Sequence, residues 1–283
     1  MKASGPVQTG DTSPVTAVIP CFRNATTLRR AVKSVFAQTN RPREVIVVDD
    51  ASDDEDTEVL LSALEVEYGD LVKVIRLDSN GGPSGARNRG WEAASQPFIA
   101  FLDADDAWHH EKIALQMPLM LGPHGASISG HPISINTFFM CDANVDVEHL
   151  ARPLRIGQLL FRNQLPTPSV IVKASLQQRF DPSRRLCEDY DLWLRILMAG
   201  EFCRYLPIPL TTTFKASFGE GGLSEDLFAM EQAQAGVYRG LVADRLISMP
   251  TYAALVVWGW VRFARRVAIS KTRQPLRKLR REC

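Results

Sequence analysis

The sequence has none of the marks of a disulfide-built, metal-stapled or membrane-spanning protein. Its five cysteines, Cys21, Cys141, Cys187, Cys203 and Cys283, are odd in number and scattered. No CxxC or Cys/His pair has zinc-ligand spacing, so free thiols in a reducing compartment are expected. The five histidines, His109, His110, His124, His131 and His149, form no metal-spaced pair either. Neither a G-x-G-x-x-G nor a GxxxxGK[ST] segment occurs, which disfavours a dinucleotide fold and a P-loop. Residues 1–14 are polar with no apolar h-region, a loose leader and not a signal peptide. Net charge is only +1, so the whole-chain balance implies no partner.

What is present is a core and a rhythm. A 283-residue chain with 45% hydrophobic content can build one large domain or two small ones. Val15–Ile19 is an apolar run that Pro20 should stop, followed by a loop at Cys21–Asn24. From Thr26 or Thr27, apolar residues at Leu28, Ala31, Val32, Val35 and Phe36 predict an amphipathic helix. Gln38 to Arg43 should break it. Val45–Val48 is a continuous β-branched run ending in Asp49-Asp50, as expected of a strand covered on both faces. An acidic opening predicts a second helix from Thr57 to about Tyr68, and Val72–Leu77 a third strand. A glycine-rich stretch, Asn80–Gly90, then leads to a fourth strand, Phe98–Leu102. This alternation predicts a parallel sheet with right-handed crossovers.

Ligands of such sheets sit beyond the carboxyl ends of the strands. The loops after Ile19, Val48, Leu77 and Leu102 would therefore gather Asp49, Asp50, Arg87, Asp103 and Asp105. Asp103-Ala-Asp-Asp106 places three carboxylates within four positions, costly unless a cation sits among them. A hard divalent metal carrying phosphate oxygens fits, and so does a solvated acidic loop. The Gly81-Gly82…Gly85 turn fits either phosphate contact by backbone N–H groups or a plain need for positive φ.

Past Trp108 the pattern predicts a helix over His109–Leu121 interrupted near Pro118. Short strands are expected at Ala126–Ser129 and Thr137–Met140, and a buried strand at Thr167–Val172. A helix opens with Glu188, Asp189 and Asp191 and buries Leu192, Trp193, Ile196 and Leu197. Those acids fit dipole stabilisation of a helix start, or a general base beside the nucleotide site.

Taken together, Val18-Ile-Pro-Cys-Phe-Arg-Asn, Glu44-Val-Ile-Val-Val-Asp-Asp-Ala-Ser, Asn80-Gly-Gly-Pro-Ser-Gly-Ala-Arg-Asn-Arg-Gly, Phe101-Leu-Asp-Ala-Asp-Asp and Glu188-Asp-Tyr-Asp-Leu-Trp-Leu-Arg resemble, in this order and spacing, the family 2 glycosyltransferases. The resemblance covers about residues 15–225. It implies an α/β GT-A fold: a Rossmann-like, mostly parallel sheet with flanking helices and an acceptor-side subdomain, followed here by a C-terminal helical basic tail. Residues 15–107 would form the nucleotide-sugar half, 108–225 the acceptor and catalytic half, and 226–283 the helical tail. The resemblance further implies that Pro20 and its neighbours including Phe22, with Asp49 or Asp50, hold the uracil end of a nucleotide-sugar, a UDP-sugar by expectation. Gly82 and Arg87 would run along the nucleotide and donor. Asp103-Ala104-Asp105 would be the DXD motif, with Asp105 and Asp103 on Mn²⁺ or Mg²⁺ and Asp103 reaching ribose or metal. Asp189 matches the catalytic base. The implied activity is inverting transfer of one sugar to a saccharide or lipid-linked saccharide acceptor in cell-surface polysaccharide or glycolipid synthesis. No Gln-x-x-Arg-Trp motif and no multi-span region occurs, which favours single additions. The histidine that many relatives carry after the base helix is absent from Phe214–Ser224, where Lys215 or Ser224 could contact diphosphate and Gly219–Gly222 could equally be a plain flexible lid. The rival readings are a sugar-phosphate nucleotidyltransferase, whose Gly-rich loop after the first strand is lacking, and a catalytically silent sugar- or lipid-binding module on the same fold.

The C-terminal segment departs from the rest in charge. From Arg262 onward there are nine Lys/Arg against one acid, leaving 24 basic and 31 acidic residues in 1–261. Tyr252–Val261 is apolar with two tryptophans but short of the ~18–20 residues that span hydrocarbon. Trp beside Lys/Arg fits a segment of 250–283 lying in an anionic membrane interface, which would make the protein cytoplasmic and peripheral at the inner face of the cell membrane. A helix packed on the body with a solvated basic end fits the same residues. Nucleic acid is the poorer explanation of the charge.

Overall fold

The computed structural model describes residues 11–122, 124–137, 145–214 and 226–281. The first hundred residues alternate strand and helix: β1 (Thr12–Cys21), α1 (Leu28–Phe36), β2 (Arg41–Asp49), α2 (Glu55–Tyr68), β3 (Val72–Arg76), α3 (Gly82–Ala93) and β4 (Phe98–Phe101). There follow β5 (Asp106–Trp108), α4 (Lys112–Met120), β6 (Ile128–Gly130), β7 (Ser134–Ile135), α5 (Val147–Leu150), β8 (Arg152–Pro153), α6 (Ile156–Phe161), β9 (Ile171–Lys173), α7 (Glu188–Met198), β10 (Cys203–Tyr205), β11 (Thr211–Thr213), α8 (Leu227–Ala243) and α9 (Met249–Arg281). The eight-stranded sheet has the order β3-β2-β1-β4-β9-β6-β10-β8, and β5-β11-β7 form a small second sheet.

The four strands from β3 to β4 are parallel, as the crossover pattern predicts. Their side chains alternate between two cores. Ala17, Ile19, Ala100 and Leu102 pack with the buried stripe of α1 (Leu28, Ala31, Val32, Val35). Val18, Ile99 and Phe101 pack on the other face with Trp91, Phe180 and Trp193. Helix α3 lies close enough to β1 that a Cβ on Gly90 would fall 2.4 Å from a Val18 methyl, so only glycine fits there. Beyond β4 the direction changes: β9 runs antiparallel to both β4 and β6. The chain approaching β9 therefore arrives at the edge where β1, β2 and β4 end.

Four expectations are corrected. Pro20 does not stop the first strand: it lies inside β1, paired with Val48. Its missing N–H would face the β4 side, where pairing has ended at Val18, so no ladder bond is lost. The helix does break before Gln38, but strand β2 begins at Arg41, ahead of the expected Val45–Val48, with Pro42 paired to Ser13. Pro118 does not interrupt α4, which continues to Met120 with Leu115, Met117, Leu119 and Met120 buried. Thr167–Ser169 is a 3-10 turn between Pro166 and Val170, so the strand expected over Thr167–Val172 is reduced to β9. The expected strand at Thr137–Met140 and the stretch Lys215–Ser224 fall mostly or wholly outside the described residues.

The C-terminal helix is part of the body at its start. Leu255 is buried, and Tyr252 and Val256 pack against the core of α7 and α8. Arg262 donates to Phe161 O at 2.9 Å and to Gln234 Oε1 at 3.0 Å. Among the described residues no helix is long and apolar enough to cross a membrane.

Candidate active site

The loop after β1 is fastened to the loop after β2. Arg23, with φ of 51°, donates its backbone N–H to Ser52 Oγ at 2.9 Å, and its guanidinium grips Asp53. Ser52 Oγ in turn donates to Asp49 Oδ1 at 2.5 Å, where the Cys21 thiol also approaches. Pro20 and the half-exposed Phe22 sit at this carboxyl edge of β1, with Arg23 stacked 5.1 Å from the Phe22 ring.

Asp50 binds the glycine turn. Its two oxygens accept the N–H groups of Gly81 and Gly82, each at 2.8 Å. Burial pushes its carboxyl up, and these two N–H donors pull it back. Gly82 has φ of 75°, so the need for positive φ is real, and it opens α3 with Pro83 in the first turn.

Asp103, Ala104 and Asp105 follow β4 directly, with Ala104 buried and both flanking acids half-buried. Asp106 is turned inside, as the first residue of β5. Arg30 donates to Asp105 O at 2.6 Å and lies over the Phe214 ring. Arg87, on α3, is the pivot. Its Nη2 meets Asp103 Oδ1 at 2.7 Å and its Nη1 meets Glu188 Oε1 at 2.9 Å. Burial disfavours the guanidinium charge, but the two carboxylates outweigh that and hold Arg87 protonated.

The opposing wall is the first turn of α7, entered through Cys187 in the left-handed conformation (φ 57°). The three acids of this turn separate by role. Glu188 pairs with Arg87. Asp191 points away, held by Arg195 at 2.8 Å and Arg184 at 3.3 Å. Among the described residues Asp189 keeps only hydrogen bonds: Tyr190 N–H to Oδ1 at 2.6 Å and Asn163 Nδ2 to Oδ2 at 3.1 Å. Burial and the neighbouring Glu188 charge push its carboxyl up to about 7, against the pull of those hydrogen bonds and Arg87. A carboxylate so tuned suits proton abstraction near neutral pH.

Asp103 and Asp105 fit a divalent cation by donor chemistry. Such ions take oxygen ligands and are held by one or two carboxylates plus substrate phosphates. Asp103 gives one oxygen to Arg87 and stays 31% exposed. Among the described residues no three His, Cys, Asp or Glu side chains gather into a metal cage, so a phosphate-bearing ligand would have to complete the set.

The residue pattern singled out Asp49, Asp50, Arg87, Asp103 and Asp105, and left Glu188, Asp189 and Asp191 together as a helix start or a general base; the family resemblance chose Asp189 among them. Neither gave a role to Ser52, Arg23 or Asn163. Of the residues left unassigned, only Glu188 carried a usable signal, its place beside Asp189.

A parallel nucleotide-type sheet, an Asp-Ala-Asp segment at its carboxyl edge and an acidic helix start facing it define the GT-A class of glycosyltransferase domains. The family model described as "Glycosyl transferase family 2" matches residues 16–155, and the chain belongs to that family. It is 32% identical over 219 residues to the succinoglycan biosynthesis protein ExoO of Rhizobium meliloti (strain 1021), covering 68% of this chain and 58% of that protein. It is 31% identical over 186 residues to WfgD of Escherichia coli, a UDP-Glc:alpha-D-GlcNAc-diphosphoundecaprenol beta-1,3-glucosyltransferase, covering 65% of this chain and 69% of that protein. Among solved structures, S. aureus TarS 1–349 in complex with UDP-GlcNAc superposes with a TM-score of 0.62 at 17% identity, over 86% of this chain and 70% of that one. The mannosyltransferase PcManGT from Pyrobaculum calidifontis, in complex with GDP-Man and Mn²⁺, does so with 0.62 at 15% identity, over 92% and 75%.

Proposed function

We propose that this chain moves one sugar from a UDP-linked donor to an acceptor hydroxyl, with Asp189 as general base and inversion at the anomeric carbon. The acceptor is a saccharide, free or lipid-linked, of a cell-surface polysaccharide or glycolipid. The observation that carries this reading is the Asp189 carboxyl, raised to about 7 and joined through its neighbour Glu188 and Arg87 to Asp103. Pro20, Phe22 and Asp49 line the base end of the nucleotide. Asp50 shapes the Gly81-Gly82 turn along it, and Arg87 keeps Asp103 turned toward the diphosphate. Asp103 and Asp105 would hold Mn²⁺ or Mg²⁺, which when bound neutralises charge on the departing diphosphate. Asp189 takes the acceptor proton into an oxygen lone pair while the acceptor attacks from the face opposite the leaving group. Such a base is typically worth ~10²–10⁴-fold in rate. ExoO and WfgD are named for polysaccharide and lipid-diphosphate chemistry, which supports the acceptor class.

The same reading places α9 on an anionic membrane surface. Trp258 and Trp260 are more than 40% exposed, Val257 and Val261 more than half, and the basic residues follow in sequence. The helix also packs on the body as far as Arg262, and Trp258 and Trp260 rest against the Phe161 and Phe228 rings respectively, so docking would use the faces they leave exposed.

The test is release of UDP from a panel of UDP-sugars with Mn²⁺, Mg²⁺ or EDTA, with and without saccharide acceptors. Acceptor-stimulated UDP release is expected. Release of pyrophosphate would replace the reading with a nucleotidyltransferase, and failure to bind any nucleotide-sugar in the presence of metal would replace it with a silent module.

A further inference from the structure

We infer that Asn163 is the positioning residue of the base, fixing the Asp189 carboxylate in the plane from which it accepts the acceptor proton. This rests on Asp189 being the base. The orientation of the Asn163 amide is decided by its other bond: Oδ1 accepts the Leu165 N–H at 3.0 Å, so the atom facing Asp189 Oδ2 is the donor Nδ2, at 3.1 Å. The second carboxylate oxygen is fixed by the Tyr190 N–H at 2.6 Å. With one oxygen tied to its own helix and the other to a separate segment, the carboxyl has no torsional freedom left, while Oδ2 retains a lone pair.

The segment that carries Asn163 is rigid with respect to α7. Trp193 Nε1–H donates to Leu165 O at 2.8 Å, one turn after Asp189. The Tyr190 hydroxyl reaches Leu160 O at 2.7 Å, and the Tyr238 hydroxyl reaches the same oxygen at 2.8 Å. Arg262 holds Phe161 O from α9. The segment reaches the site because β9 runs backwards, which sets the residues before it at the carboxyl edge of β4.

An amide is suited to this task. It steadies the carboxylate with a neutral donor and yields no proton, whereas a lysine at the same place would form an ion pair and strip the base of its basicity. The charged neighbours of Asp189 are Glu188, which favours protonation, and Arg87, which opposes it; the Cys187 thiol stays neutral, pushed up to about 12 by burial and the adjacent carboxylates.

The test follows the Asp189 carboxyl carbon by NMR in full-length protein labelled with carbon-13 aspartate, the resonance being the one lost in Asp189→Asn. No substrate is needed. Asn163→Ala should raise the Asp189 titration midpoint by about half a pH unit or more. Asn163→Asp, which keeps an acceptor for Leu165 N–H but replaces the donor by a second carboxylate, should raise it further. With UDP-glucose and UDP-N-acetylglucosamine as probe donors, kcat should fall about tenfold in both variants with KM for donor unchanged, and the acid limb of the rate should follow the NMR midpoint. A purely structural Asn163 would be preserved by Asn163→Asp. An unmoved midpoint in both variants, while Asp189→Asn abolishes transfer, overturns the inference alone. Transfer retained by Asp189→Asn overturns the base reading and the inference with it.

Discussion

Arg87 and Glu188 are 101 positions apart in sequence and 2.9 Å apart in the fold, and the same guanidinium reaches Asp103 at 2.7 Å. One buried cation thus joins the end of β4 to the start of α7. The expected consequence is that Arg87→Lys, which keeps the charge but loses the fork, cannot bridge both carboxylates. It should lower transfer at least tenfold, while Arg87→Ala should cost about 1–3 kcal/mol of stability by leaving two partly buried carboxylates uncompensated. Urea unfolding and UDP release measured on the two variants check this; equal loss in both would reduce Arg87 to a structural ion pair.

Asp189 makes opposite demands on activity and stability. As a base it must be ionised, so kcat/KM should rise with pH through about 7 and then level off. Its folded pKa lies above the ordinary 3.8, so the native state binds the extra proton between these values. Stability from this group is full below about pH 4 and declines as pH rises through about 7. Asp189→Asn should therefore keep donor binding, lose transfer, and unfold a few degrees higher at pH 8, a gain on the order of 1 kcal/mol. A melting temperature unchanged at pH 8 would show the carboxylate to be well solvated.

Removal of the metal should act through Asp105. EDTA is expected to abolish UDP release, Mn²⁺ or Mg²⁺ to restore it, and Asp105→Ala to shift the metal requirement to much higher concentration without altering the melting temperature of the metal-free protein. Metal-independent release by wild type would count against the assignment of Asp103 and Asp105.

For α9, substitution is a cleaner probe than truncation, because Leu255 and Arg262 belong to the body. Trp258→Ser with Trp260→Ser, and separately Lys271, Arg273, Arg277 and Lys278 all changed to Glu, should each cut co-flotation with vesicles containing phosphatidylglycerol. Binding to neutral vesicles should be weak in all forms. Undiminished flotation by both variants would move the contact elsewhere.

The alternation from β1 to β4 was legible because its signals are local. Each strand is an apolar run, and acids or glycines mark where Val48, Leu77 and Leu102 end. Pro20 misled because a proline's cost depends on which neighbour its missing N–H would face, a tertiary fact. Thr167–Val172 looked like a strand by composition, but the prolines at 166 and 168 hold its first half as a turn. Asp189 was set apart from Glu188 and Asp191 only by the family resemblance. Asn163 could not be picked out, since its function rests on two hydrogen bonds set by a strand running backwards. Packing of the C-terminal segment on the body is seen from Tyr252 to Arg262, a contact that composition alone does not reveal.

The reversal of β9 also sets an order of events during synthesis. Strands β1 to β4 are contiguous in the chain and can pair as soon as they are made. The outer edge of β4, Phe98–Phe101, all buried in the finished sheet, has no partner until Ile171–Lys173 arrives about seventy residues later. Through that interval the nascent protein presents an apolar, unpaired strand edge, the form of surface most prone to pair with another chain. Yield in cells should thus depend on how fast residues 102–173 are translated and on what shields that edge meanwhile.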